Sequence, residues 1–133
     1  MDLCRVVAIG FQWEGQEPLS MTLQDGDEAT LIRAFWQMVT LRDIQRHLVG
    51  FNCLAFDLPV LFPRSQYLGI PAPSIQIDRF KHPQVTDLLS VLSFNGAIKM
   101  RGLAFYAKRF GVVSADTMTG ADVAQAVTDG RWS

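Results

Sequence analysis

The sequence is poor in residues that would staple a small fold from outside. It holds 2 cysteines and 2 histidines in 133 residues. Cys4 and Cys53 lie far apart and match no metal or redox spacing. Both sit in apolar, strand-like runs, so they read as buried free thiols in a reducing cytoplasm. Long apolar runs are also absent. None approaches the ~20 residues needed to span a bilayer, which argues against a membrane partner. The start MDLCRVVAIG has no basic leader ahead of an apolar core and reads as a poor signal peptide. Internal repeats and low-complexity segments are missing. A net charge of −1 removes any whole-chain electrostatic argument for nucleic acid.

What is present suffices for one globular domain, residues 1–133, with 49% hydrophobic residues to build a core. The charge is unevenly spread. Residues 1–60 carry four Arg against eight Asp and Glu. Residues 64–109 carry seven cations (Arg64, Arg79, Lys81, Lys99, Arg101, Lys108, Arg109) against Asp78 and Asp87. A basic segment after an acidic one suits a polyanion guided to a site; an ordinary solvated face reads the same way. Phe80, Phe94, Phe105 and Tyr106 interleave with these cations and fit either base stacking or a core.

In chain order, residues 3–13 read as a strand whose continuous apolar run predicts burial on both faces. Leu19 to Leu23 alternates and predicts a second strand with one wet face. Asp25-Gly26-Asp27 breaks that strand and caps a helix over Glu28–Val39, whose rows Leu31/Phe35/Met38 and Ile32/Trp36/Val39 make a broad buried stripe. Leu48, Val49 and Phe51 predict a strand, and Gly50 within it allows a close approach. A helix follows from Asp57 to Tyr67, closed by Gly69, with Pro63 predicting a kink or early stop. Residues 70–83 hold three prolines and read as a long irregular connection. Val85–Leu89 predicts a short strand running into a helix through Val91 or Leu92. Phe94-Asn95-Gly96 is a turn, Arg101–Phe110 a helix stopped by Gly111, and Thr119–Val127 a last short helix ended by Gly130. This order predicts an α/β domain with a mixed sheet flanked by helices.

The stretch from Leu48 to Arg64, LVGFNCLAFDLPVLFPR, concentrates the chemistry. Asp57 stands where a strand gives way to a helix, a position that suits both a helix cap and a ligand carboxylate. Pro59 fits the first helical turn, where its missing N–H is not needed. The pattern G-F-N-x-x-x-F-D-L-P-x-L-x-x-R specifies nine of fifteen positions between Gly50 and Arg64. It resembles the second motif of the DEDD (DnaQ-like) 3′-5′ exonucleases, in the bacterial group related to the proofreading exonuclease domain of family-B DNA polymerases. The run from Asp87 to Asp122 resembles the region between the second and third motifs of that group.

The resemblance implies a ribonuclease-H-like fold and hydrolysis of nucleic acid, DNA above all, from single-stranded 3′ ends with Mg²⁺ or Mn²⁺. Such chemistry needs several carboxylates converging on paired hard cations. By this resemblance Asp57 is the catalytic and metal-binding carboxylate. Asn52, Phe56 and Arg64 are substrate-contacting residues, with Asn52 bonding the terminal nucleotide or orienting the loop, Phe56 packed beneath the site and Arg64 either on a phosphate or bracing its helix. Asp87 supports the site from behind, or serves as a cap or turn residue. The family's first motif, D-x-E, is absent, because Glu14, Glu17 and Glu28 follow Gln12, Gly15 and Gly26 two positions on. No Tyr stands four residues before an Asp, and His82-to-Asp87, the one His-type spacing, falls ahead of the predicted late helices.

The chain is therefore expected to resemble the middle of an exonuclease, incomplete at both ends. It is expected to be weakly active or inactive by itself, and to be capable of self-association through unpaired strand edges. The alternative is a non-catalytic domain that binds single-stranded nucleic acid or another partner.

Overall fold

The computed structural model describes residues 4–40, 47–78, 81–113 and 118–131. Arg79 and Phe80 of the basic segment lie outside the described residues. The chain falls into two compact units, Met1–Asp87 and Leu88–Ser133.

The first unit opens with β1 (Ala8–Phe11) and β2 (Leu19–Thr22), an antiparallel pair in the register Ala8↔Thr22 to Phe11↔Leu19. The expected strand over 3–13 shortens to four residues and is not buried on both faces. Ile9 and Phe11 are half-buried while Ala8 and Gly10 are exposed. A two-stranded ribbon has one face on the core, so a continuous apolar run need not be doubly covered. Cys4 likewise is exposed; only Cys53 is a buried thiol.

Asp27, in extended backbone, caps α1 (Glu28–Val39), accepting at Oδ1 from the Thr30 N–H at 2.8 Å and the Thr30 hydroxyl at 2.7 Å. The predicted stripe is the core: Leu31, Ile32, Trp36 and Val39 are buried, and Phe35 packs against them half-buried.

After β3 (Leu48–Gly50) the chain turns into α2 (Asp57–Tyr67) and returns through an irregular connection to β4 (Val85–Asp87). The two strands pair in parallel, Leu48↔Val85 to Gly50↔Asp87, a pairing that requires a crossover such as α2. Pro63 does not end α2, although its ring forfeits the N–H bond to the Pro59 carbonyl. Buried Leu58, Leu61 and Ser65 flank it and hold the helix to the core. The helix closes as expected at Gly69 (φ +64), with Ile70 N–H donating to Ser65 O at 2.8 Å and Gly69 N–H to Gln66 O at 3.2 Å.

Two polar links clamp these elements. The Trp36 indole N–H donates to Ser65 Oγ at 2.8 Å, and that hydroxyl donates to Leu61 O at 2.6 Å. Glu28, only 6% exposed, accepts at Oε1 from the Val6 N–H (2.9 Å) and Arg64 Nε (2.8 Å), and at Oε2 from Arg64 Nη2 (2.6 Å). Burial pushes the Glu28 pKa up, but the Arg64 bonds, the Val6 N–H and the charges of Arg64 and Arg5 outweigh it and leave it below the ordinary value.

The second unit holds α3 (Leu88–Leu92), α4 (Leu103–Arg109) and α5 (Asp122–Thr128). Between α3 and α4, Phe94, Asn95 and Gly96 take left-handed φ values of 51°, 53° and 85°, the predicted turn. Buried Ser93 receives the Gly96 N–H at its hydroxyl, 3.1 Å. Among the described residues the strands form one antiparallel and one parallel pair, both in the first unit, and the chain as a whole is mixed α/β. Among the described residues no helix is long and apolar enough to cross a membrane.

A Cβ added at Gly50 would lie 2.7 Å from Cys53 Cβ and 2.9 Å from its Sγ. Gly50→Ala is therefore expected to destabilise the fold by about 1–3 kcal/mol through overpacking, read from chemical denaturation. Glu28 gives a second expectation. Its folded pKa lies below the unfolded value of 4.5, so its stabilisation is complete above pH 4.5 and is lost as pH falls through the depressed value. Glu28→Gln should be less stable than the parent at pH 7, with the difference shrinking in acid; denaturation midpoints across pH 2–7 would measure it.

Candidate active site

Gly50 and Asp87 end the two parallel strands in register, and the carboxyl end of such strands is where open α/β sheets present ligand sites. The chain leaves Gly50 through a tight turn. Asn52 adopts φ +60°, a left-handed conformation that Asn tolerates better than most side chains. Its carbonyl accepts the N–H groups of Ala55 (3.3 Å) and Phe56 (3.0 Å).

Asp87 holds this turn from the next strand. Its carboxylate, 3% exposed, accepts the Asn52 N–H at 2.8 Å through Oδ1 and the Leu54 N–H at 3.1 Å through Oδ2. Of the two roles its sequence position suggests, the geometry is that of a group supporting the turn that carries the motif. The signal for this was faint: an Asp closing a short strand, with no local partner.

Asp57 opens α2 but does not cap it. The cap position is Phe56, which makes no side-chain capping bond. The Asp57 carboxyl reaches solvent and is not sealed among aliphatic side chains. Its pKa lies above the ordinary value, chiefly because neighbouring atoms desolvate it; its own backbone N–H opposes the rise and the Asp87 charge adds to it. Cys53 completes the group, its thiol pushed up to about 11 by burial and by the charges of Asp87 and Asp57. Asp57, Asp87 and Cys53 thus share one electrostatic neighbourhood at the strand ends.

The remaining predicted residues distribute unevenly. Asn52 is half-buried in the same turn, and among the described residues its side-chain amide has no hydrogen-bond partner. Phe56 is 56% exposed and does not pack beneath the turn, because the buried positions go to Cys53 and Leu58. Arg64 lies two turns along α2 with its guanidinium in the bidentate bond to Glu28, the bracing position. His82 Nδ1 bonds the Val85 carbonyl at 2.9 Å, and His47 Nε2 lies 2.7 Å from Thr86 Oγ1. Both histidines secure β4 and its approach.

A pair of divalent ions needs more oxygen donors than this. Among the described residues no group of three or more His, Cys, Asp and Glu converges on a point that would hold a metal ion. Each Asp87 oxygen already receives a backbone N–H. The described residues alone therefore do not fit a two-ion site.

Residues 1–133 match the family described as predicted 3′-5′ exonucleases related to the exonuclease domain of PolB. No curated protein and no solved structure matches the chain. The mixed α/β architecture is consistent with a ribonuclease-H-like exonuclease domain.

The two aspartates should respond oppositely to neutralisation. Asp87→Ala strands two backbone N–H groups and is expected to cost about 1–3 kcal/mol, with faster amide exchange at Asn52 and Leu54. A carboxyl whose pKa is raised on folding is uncomfortable when ionised. Asp57→Asn is therefore expected to raise the melting temperature at pH 7, the gain vanishing below the unfolded pKa of 3.8.

Proposed function

The chain belongs to the predicted 3′-5′ exonucleases related to the exonuclease domain of PolB, and on that premise we propose that it acts on the 3′ ends of single-stranded DNA. The observation that supports this most is the placing of Asp57: a solvent-reaching carboxylate with a raised pKa, on a turn anchored by Asp87 at the ends of two parallel strands. A carboxyl group shifted from its ordinary pKa at an exposed strand end is a functional-site candidate.

In this reading Asp57 is the chain's contribution to a Mg²⁺ or Mn²⁺ site, the kind of ion such exonucleases typically use. Bound divalent ions supply an activated water and charge stabilisation at the leaving oxygen. Asn52 offers its amide to the terminal nucleotide, and the exposed Phe56 ring offers a face for stacking. Arg64 serves by fixing α2 through Glu28, and so by fixing the helix that carries Asp57. The free cysteines suit a cytoplasmic setting.

A second reading is supported by the donor set. One solvent-reaching carboxylate does not hold two ions against water, so the 133-residue chain alone is expected to hydrolyse DNA slowly or not at all. It would then hold single strands without cutting. Among the described residues each strand has one hydrogen-bonded neighbour, and edges left in this way would favour self-association.

The test is a 5′-labelled single-stranded oligonucleotide incubated with the chain and Mg²⁺ or Mn²⁺. Any shortening is expected to proceed from the 3′ end, to be slow, and to disappear in Asp57→Ala. Shortening that survives Asp57→Ala, or that starts at the 5′ end, would sink the assignment of Asp57.

A further inference from the structure

We propose that the face of α4 and its entry turn formed by Arg101, Phe105, Lys108 and Arg109 is a docking strip for the phosphate backbone of single-stranded nucleic acid. The proposal rests on the reading of the chain as acting on nucleic acid, and concerns residues other than those of the Asp57 turn.

Residues 88–113 contain no Asp or Glu and four cations: Lys99, Arg101, Lys108 and Arg109. Among the described residues none of the four has an ion-pair partner, whereas Arg5, Arg64 and Arg131 each have one. The cations are also ordered. Phe105 and Arg109 are four apart on α4 and so share one face; Arg101, ahead of the extended cap residue Gly102, meets the same ring from the entry turn. Lys108 falls beside that face, and Leu103, Tyr106, Ala107 and Phe110 fall on the opposite side.

Between the two arginines is an aromatic ring. The Arg101 guanidinium carbon lies 5.3 Å from the Phe105 centroid and that of Arg109 lies 5.2 Å from it, both over the ring. Phe105 remains 40% exposed. The ring attracts both cations to its face and so opposes the repulsion that would drive them apart. Two guanidinium forks are thereby held beside one ring, along a stretch with no carboxylate of its own. Their planar donors match phosphate oxygens in bidentate geometry. Two neighbouring anion positions beside an exposed aromatic ring match a polymer that repeats phosphates and carries flat bases. An isolated anion would need only one of the two arginines.

The experiment is fluorescence anisotropy of a labelled oligothymidylate with the full chain, in chelator and without added metal, between about 50 and 200 mM salt. The wild-type chain is expected to bind with a steep dependence on salt. Losing two phosphate contacts flattens the log–log slope by about 1.4 for a single strand. The same rise in salt should therefore cost the wild type about seven-fold more affinity than R101Q/R109Q. Phe105→Leu keeps the charges and should weaken binding with little change of slope. Arg33→Gln, an exposed cation on α1, should keep the wild-type slope. All variants are checked by circular dichroism.

Salt-independent binding, or a wild-type slope in R101Q/R109Q, would overturn the proposal. So would a flattening of about 0.7 in Arg33→Gln, half that of the double variant, which would make the effect one of total charge. The slope reports on α4, and 3′ shortening reports on Asp57, so the two readings fail separately.

Discussion

The buried carboxylate of Glu28 is the contact on which the first unit depends. It lies in the first turn of α1, where the helix dipole favours a negative charge. From there it takes the Val6 N–H ahead of β1 and both reachable donors of Arg64 on α2. Three segments are thus referred to one point. Desolvating a carboxylate is costly, and an unpaired one at this depth would be expelled or protonated. The bidentate guanidinium and the backbone donor make the arrangement tenable. Arg64 is then unavailable as an independent phosphate hook without undoing the packing it supports.

The candidate site is built on the same logic of carboxylates answering backbone donors. Asp87 fixes the turn through Asn52 and Leu54, and the turn delivers Asp57 to the first position of α2. With Asp87 satisfied by those amides and Asp57 left to solvent, two acidic groups at one strand end divide their roles by environment. Gly50 permits the arrangement, because the turn folds back so closely that Cys53 occupies the space of a missing side chain.

Features encoded by neighbours in sequence were readable in advance. Asp27 and the apolar rows marked α1 from Glu28 to Val39; Gly69 marked the end of α2; Val85 to Leu92 was read as strand into helix. What escaped was long-range. Glu28 and Arg64 are 36 residues apart and carry no local signature as a pair. The burial of β1 depended on how many layers cover it, which a run of apolar residues does not specify. Pro63 indicated a break that tertiary packing overrode. At the site, the motif located the turn and Asp57, but the exposure of Phe56 followed from which neighbours took the interior.

The two thiols differ in a way that bears on how the molecule meets electrophiles. Cys53 is 9% exposed, and with a pKa of about 11 only about one molecule in ten thousand presents it as thiolate at neutral pH. Cys4 stands in solvent. A maleimide dye offered to the native protein would therefore mark the amino-terminal segment and spare the turn beside Asp57, giving a single-point optical reporter with no engineered cysteine.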